Sequence, residues 1–159
     1  MKGASGLHQD TRARELGEWD RTTADMTSMS APILAVELSE IALTGFWANH
    51  DYHGQKLVIQ VRGNADSGVT EEFAQYLERL HRQMLLTGLR EVTLDFRELY
   101  FMTASCIKCL VDAIRRVMDL EANAQYEICL LTQTKLRWQE RSFEVLCELA
   151  PHLVRMKAS

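Results

Sequence analysis

The chain has 159 residues, of which 47% are hydrophobic and 25% charged, and its formal net charge is −4. These values are typical of one globular domain, and the acidic balance argues against binding nucleic acid mainly through charge. No apolar run approaches the ~20 residues of a membrane-spanning helix. The first residues also lack the apolar core of a signal peptide. We therefore expect a cytoplasmic protein with reduced cysteines and no disulfides.

Residues 1–32 are predicted to form a flexible N-terminal tail. They are polar and mixed in charge, and they carry too little apolar surface to offset the entropy lost on ordering. One short helix from Arg12 to Trp19 is the only element expected there. The folded domain is predicted to cover residues 33–159.

The first part of the predicted domain is rich in strands. Ile33 to Phe46 alternates loosely, as one or two strands do, and His50 to Gly54 is predicted to be a turn. The β-branched run from Lys56 to Arg62 predicts a strand. The cluster from Gly63 to Gly68 predicts a second turn.

A helix is predicted to follow, beginning at Thr70 as its capping residue and ending at Gly88. Glu71 and Glu72 in its first turn suit the helix dipole. Its apolar residues recur at helical spacing and define one face: Phe73, Leu77, Leu80 and Met84.

Strands and helices alternate through the rest of the chain. The predicted elements are a strand at Glu91–Phe96, a helix from near Ser105, a strand at Tyr126–Leu131, a helix from Lys135 or Arg141 to Leu149, and a short last strand at Leu153–Met156. This order predicts a single α/β domain. Its central sheet of 4–5 strands is expected to be mostly parallel, with right-handed crossovers and helices packed against it.

The most informative stretch is VTLDFRELYFMTASCIKCLVDAIRRV, from Val92 to Val117. A four-residue link, Arg97 to Tyr100, is predicted between the strand and the apolar pair Phe101 and Met102. Thr103, Ala104 and Ser105 then open the helix. A hydroxyl at a helix start can cap free backbone N–H groups, or it can carry a phosphate that the helix dipole favours. Both interpretations stay open on spacing alone.

This stretch resembles the central motif of STAS domains, the fold of anti-sigma factor antagonists. VTLDF matches the family's strand, with Asp95 at its acidic position, and Thr103 to Ile107 occupies the place of Asp-Ser-Ser-Gly-Leu. A more distant resemblance links Thr103–Lys108 to Asn-Thr-Ser-Ser-Ala-Lys in STAS-like biofilm regulatory phosphoproteins. The resemblance implies a regulatory protein that is not an enzyme. Its implied partner is a protein such as an anti-sigma factor or a serine/threonine kinase-like regulator.

The departures from the family motif concern phosphorylation. In the family the phosphorylated Ser directly follows the Asp, and this chain has Ala104 at that position. Thr103 stands at the Asp position and Cys106 at the Gly position. Ser105 and Thr103 remain as candidate phosphorylation sites, with Ser105 preferred. The predicted partner-binding residues are Asp95, Met102, Thr103, Ala104, Ser105, Cys106 and Lys108.

Two alternatives are retained. The first is a constitutive, unphosphorylated scaffold, with a homodimer as one form of it. The second is a thiol oxidoreductase that uses the CxxC pair Cys106 and Cys109, although buried packing of these thiols is favoured.

No metal site or cofactor is expected. The remaining cysteines, Cys129 and Cys147, do not supply a second ligand pair for zinc. His50 and His53 are interpreted as the solvated tip of a hairpin. No phosphate-binding or dinucleotide-binding glycine motif occurs.

Overall fold

The computed structural model describes residues 38–159. The predictions for the tail at 1–32, for its short helix and for the strand residues before Leu38 lie outside this range. The elements are β1 (Ile41–Leu43), β2 (Phe46–His53), β3 (Lys56–Ala65), α1 (Thr70–Thr87), β4 (Glu91–Met102), α2 (Ala104–Met118), β5 (Glu127–Thr132), α3 (Arg137–Leu149) and β6 (Val154–Ala158). A short 3₁₀ turn at Ser67–Val69 leads into α1.

Among the described residues the six strands form one sheet in sequential order, from β1 to β6. β1, β2 and β3 pair antiparallel, and β3, β4, β5 and β6 pair parallel. The single α/β domain with a mostly parallel sheet is therefore confirmed. Six strands are present instead of 4–5, because β2 runs from Phe46 to His53, through residues that were not predicted to be strand.

All three described helices cover one face of this sheet. Phe46 of β2 meets Phe73 of α1 edge-on, with ring centroids 5.9 Å apart, and Phe96 of β4 lies 4.9 Å from Phe143 of α3. The helix α2 packs between α1 and α3. We call this the covered face. The opposite face, which no helix of residues 38–159 covers, is called the second face.

The covered face forms the hydrophobic core. Alternate residues of each central strand point into it, since side chains alternate across a strand. The buried strand residues on this face include Phe46, Ala48, Leu57, Ile59, Val61, Val92, Leu94, Phe96, Ile128, Leu130 and Val154. From α1, the predicted apolar residues Phe73, Leu77, Leu80 and Met84 are all buried.

Two predicted turns are largely strand. β2 continues through His53, because its residues pair with β3 as far as His53 opposite Lys56. The turn is thus confined to the residues around Gly54. β3 likewise continues to Ala65, so only the last part of the cluster from Gly63 to Gly68 turns. Polar residues at these strand ends caused both errors.

The predicted link from Arg97 to Tyr100 is also strand. β4 is 12 residues long and pairs with β3 up to Met102, with irregularities near Arg62 and Gly63 that absorb the extra residues. Its pairing with β5 ends at Asp95. The last seven residues of β4 therefore extend beyond the neighbouring strand.

The start of α1 also differs from the prediction. Thr70 is its first helical residue and not its cap. Asp66 takes the capping role for the preceding 3₁₀ turn, because its Oδ1 accepts from the Gly68 N–H at 2.8 Å. The C-terminal cap is as predicted: Gly88 has a left-handed φ of 67°, a conformation that glycine adopts without a steric penalty.

Candidate functional site

Most of the predicted site residues lie at the junction of β4 and α2. Thr103 lies between the two elements, and its N–H donates to the Ala65 carbonyl at 2.9 Å, which ties this junction to the end of β3. Its Oγ1 accepts from the Cys106 N–H at 3.4 Å. Thr103 is therefore the N-cap of α2.

The exposed part of this junction is formed by Phe101, Ala104, Ser105 and Lys108. Phe101 is 50% exposed, which is unusual for a phenylalanine with a large core nearby. We call these four residues the α2-start surface. It combines an aromatic ring, a methyl group, a hydroxyl and an ammonium group within one helical turn and the strand end before it.

Two other predicted binding residues lie beneath this surface. Met102 is 6% exposed and Cys106 is fully buried, and both belong to the core cluster. Cys106 Sγ lies 3.6 Å from Thr70 Oγ1 and donates to the Asp66 carbonyl at 3.7 Å. These contacts hold the 66–70 segment against the start of α2.

The CxxC pair has the surroundings of packed thiols. Cys109 Sγ donates to the Ser105 carbonyl at 3.3 Å, a bond within one turn of α2. Burial raises the pKa of the Cys109 thiol, and the neighbouring Cys106 and Asp112 add to that rise. A redox-active cysteine has a lowered pKa, because the thiolate is the reactive form. The geometry therefore gives no support to the oxidoreductase alternative.

Asp95 is not part of the α2-start surface. It lies on the second face, 8% exposed, and forms a bidentate pair with Arg97, whose Nε donates to Oδ1 at 3.0 Å and whose Nη2 donates to Oδ2 at 2.8 Å. Hydrogen bonding to Asp95 also raises the pKa of Arg97. The pair borders a polar cavity of about 380 Å³ whose other lining residues include Gln60 and Gln133.

One buried residue that was not predicted from the sequence supports the end of β4, next to the site. Gln139, at the start of α3, is fully buried, and its Nε2 donates to the carbonyls of Phe96 and Leu99 at 2.6 and 2.9 Å. Its Oε1 accepts from the Gln133 N–H at 2.9 Å. Gln139 thus satisfies β4 carbonyls where β5 has ended. Its spacing of four from the buried Phe143 was the available signal.

No metal centre is present among residues 38–159: no three His, Cys, Asp or Glu side chains come close enough to share an ion. His50 and His53 lie in β2 at odd separation, so they project to opposite faces of the sheet. His53 instead lies 3.2 Å from the carboxylate of Asp51. In the same part of the chain, no helix has the length and apolarity needed to span a membrane.

Comparison with solved structures identifies the fold. The crystal structure of an anti-sigma factor antagonist from Mycobacterium paratuberculosis superposes with a TM-score of 0.52, at 13% sequence identity, over 69% of this chain and 86% of that one. The chain has the STAS fold. Two structures of the anti-sigma factor antagonist SpoIIAA also align over 69% of this chain.

The SpoIIAA alignments are weaker. The unphosphorylated form has 20% identity and a TM-score of 0.48 over 87% of its chain, and the phosphorylated Bacillus form has 17% identity and a TM-score of 0.45 over 90%. No family model matches the sequence, and no curated protein matches it either. The STAS fold is thus recognised here through structure, in agreement with the resemblance of the β4–α2 stretch.

Proposed function

We propose that this protein is a regulatory protein–protein interaction module that docks a partner on the α2-start surface. The observation that carries the proposal is the exposed ring of Phe101 at the end of β4, followed in the chain by the exposed residues Ala104, Ser105 and Lys108 at the start of α2. Aromatic side chains that stay exposed on a rigid element are characteristic of binding hot spots. The first structural neighbour is described as an anti-sigma factor antagonist, which supports a partner of the anti-sigma or kinase-like class.

A rigid surface suits such docking because little ordering entropy is lost on binding. Thr103 is fixed by two backbone-directed hydrogen bonds, and Cys106 anchors α2 to the 66–70 segment. Gln139 holds the strand before it. The side chains on this surface therefore need only small rotamer changes to meet a partner.

Ser105 is the phosphorylation site favoured by this arrangement. Its side chain is exposed, whereas the Thr103 hydroxyl is already used as the helix cap. A phosphate on Ser105 lies in the first turn of α2, where the helix dipole favours an anion. Lys108 follows three residues later on the same side of the helix and supplies a cation for it. Ala104 occupies the position of the family's phosphorylated Ser, and it has no hydroxyl that could be phosphorylated.

Phosphorylation of Ser105 would weaken docking. Up to about two negative charges would enter a contact patch built around Phe101 and Ala104 and would have to be desolvated on binding. The alternative is a constitutive scaffold in which Ser105 stays unmodified. The two differ in one observable, the effect of a charge at Ser105.

A photo-cross-linking experiment tests the docking surface. A benzoyl-phenylalanine side chain replaces Phe101 in the full chain, and a matched probe replaces Val145, which is exposed on α3. We expect a distinct partner protein to be captured from the native cells at Phe101 and not at Val145. Capture of the same proteins at both positions would count against the α2-start surface.

The phosphorylation part is tested on the captured complex. Ser105→Asp is expected to reduce capture by about tenfold, and Ser105→Ala to leave it unchanged, because only the first adds charge to a central contact. Thr103→Val serves as the comparison for the cap. If Ser105→Asp and the wild-type chain capture the partner equally, a charge at Ser105 does not control docking. The constitutive scaffold would then be the correct description.

A further inference from the structure

The two cysteines of the CxxC pair both reach from α2 to the 66–70 segment. Cys106 Sγ lies 3.7 Å from the Asp66 carbonyl oxygen and 3.6 Å from Thr70 Oγ1. Cys109 Sγ lies 3.8 Å from the Thr70 carbonyl oxygen and 3.3 Å from that of Ser105 in its own helix. Two thiols, one helical turn apart, therefore connect α2 to the same segment.

The spacing of this pair allows a disulfide bond. A helix with a rise of about 1.5 Å per residue and a Cα radius of about 2.3 Å places the Cα atoms of residues i and i+3 about 5 Å apart. Disulfides span Cα separations of about 4.4–6.8 Å. The other two cysteines, Cys129 on β5 and Cys147 on α3, have no cysteine at this spacing.

A bond between Cys106 and Cys109 would change the start of α2. Cβ atoms at i and i+3 of a helix are about 5–6 Å apart, whereas a disulfide holds them at about 3.5–4.5 Å. The turn must therefore tighten towards 3₁₀ geometry, in which the side chains at i and i+3 eclipse. Because α2 begins at Ala104, this turn lies near the helix end, where 3₁₀ geometry is common. The tightened turn includes Lys108 and adjoins Ser105.

We propose that Cys106 and Cys109 form a reversible oxidation site, whose disulfide releases the 66–70 segment from α2 and weakens docking on the α2-start surface. A disulfide has no S–H, so the carbonyls of Asp66 and Thr70 lose their sulfur donors. A bond that distorts its helix is also more easily reduced than an unstrained one, which suits a reversible site. The effect on docking rests on the proposed function, whereas formation of the bond does not.

The oxidant is a peroxide, and the half-buried Cys109 meets it before the fully buried Cys106. The Cys109 sulfur attacks the O–O bond and becomes a sulfenic acid, and one water molecule leaves. The Cys106 sulfur then attacks the Cys109 sulfur, the S–S bond forms and a second water molecule leaves. The two thiols together lose two electrons and two protons, which reduce the peroxide to two water molecules. A dithiol reductant restores both thiols.

This oxidation differs from the turnover of a thiol oxidoreductase. Burial raises the pKa of the Cys109 thiol, so little of it is thiolate at neutral pH and its reaction is slow. The pair therefore responds to a sustained excess of peroxide and does not process a substrate.

The test treats the full chain with hydrogen peroxide, alkylates the remaining thiols and digests the protein with trypsin. Trypsin cleaves after Lys108, between the two cysteines, so the bond links the peptides 98–108 and 109–115. We expect these linked peptides in mass spectrometry, and their loss after dithiothreitol. Cys109→Ser keeps a donor towards Thr70 but cannot form the link. Cys147→Ser removes another half-buried thiol, whose pKa is also raised by burial, and should leave the link unchanged.

Two further measurements follow the consequences of the bond. Amide hydrogen exchange in residues 66–70 should become at least tenfold faster on oxidation, while exchange in α3 stays unchanged. Capture at the Phe101 probe should fall by about tenfold when the chain is oxidised, freed of peroxide and mixed with extract cleared of small thiols. In Cys109→Ser, both quantities should be unaffected by peroxide.

Three results would overturn the proposal. The first is that no linked peptides form in the folded chain, and the second is that they form without faster exchange in residues 66–70. The third is equal partner capture by the reduced and oxidised chains. Absence of capture by the reduced chain would instead count against the proposed function, so the two failures are distinguishable.

Discussion

The two faces of the sheet differ in residue type and burial, although the same strands form both. On the covered face, alternate residues such as Leu57, Ile59 and Leu94 are apolar and buried against three helices. On the second face, many of the intervening residues are polar, charged or exposed aromatic, for example Arg62, Asp95 and Trp47. Packing fixes the residue types of the first face. It leaves the second face and the α2-start surface free, so unusual residues there carry more information about binding.

The test of this comparison with the largest expected effect removes one aromatic ring from the covered face. Phe96→Ala deletes a fully buried side chain that packs on Phe143. We expect the free energy of unfolding to fall by about 3–5 kcal/mol in chemical denaturation. Tyr100→Ala, on the second face of the same strand, should change it by less than about 0.5 kcal/mol. Similar losses for both variants would contradict the distinction between the faces.

A second test concerns Gly63, a glycine of β3 that lies against the backbone of Gly45. Gly63→Ala introduces a Cβ that overlaps Gly45 and needs a left-handed φ. Unfolding should become easier by about 2–4 kcal/mol, the sum of backbone strain and overpacking.

The matched control for that test is Gly54→Ala, where φ is 61° and the space around the new Cβ is open. Only the backbone penalty of about 1–2 kcal/mol applies there. Thermal or chemical denaturation of the two variants separates the cost of backbone strain from the cost of overlap with Gly45. An equal loss of stability in both variants would show that the backbone near Gly45 moves easily to make room for the new Cβ.

Gln139 allows a smaller test on the covered face. Gln139→Met keeps the side-chain length but removes the donors to the carbonyls of Phe96 and Leu99. We expect a loss of about 1–3 kcal/mol, the cost of buried acceptors left without partners. Glu140→Ala, exposed on the same turn, is the control. Amide hydrogen exchange should also rise along the end of β4, and an unchanged rate would contradict the supporting role.

The smallest expected effect is a pH dependence on the covered face. Burial lowers the pKa of His81 below its usual 6.5, with Arg116 adding to the effect, while His81 Nδ1 lies 2.7 Å from the hydroxyl of Tyr126. Because the folded state then binds this proton less readily than the unfolded chain, the His81 contribution is present above pH 6.5 and is lost as the pH falls below it. His81→Gln should flatten the stability curve between about pH 7 and 5, measured by urea denaturation. An equally steep curve in the variant would assign the effect to another group.

The same contrast explains which predictions from sequence succeeded. The order of strands and helices was predictable because burial on one face imposes clear periods, as in α1 and β3. The ends of β2 and β4 were not, because residues such as His50 and Asp51, or Arg97 and Glu98, are polar and look like loop residues. In the structure Asp95 and Arg97 satisfy each other, which lets a strand continue through charged residues.

The candidate site was only partly predictable for a related reason. Thr103, Ser105 and Lys108 follow one another in sequence, so the start of α2 could be located from the chain alone. The alignment of Trp47, Arg62 and Glu98 across β2, β3 and β4 depends on the register of three strands. Such cross-strand arrangements have no local sequence signature. Gln139 likewise acquires its role only when α3 packs over β4.

The sequential order of the strands has a consequence for synthesis on the ribosome. Each strand pairs with the one translated just before it, so the sheet can grow at a single edge while the chain emerges. The antiparallel β1–β2–β3 meander needs only short loops, and each later strand requires one helix to be complete. The α2-start surface can therefore assemble once α2 has been translated, whereas its support by Gln139 comes only with α3. In a nascent chain, the docking residues would therefore be positioned before Gln139 bonds to the end of β4.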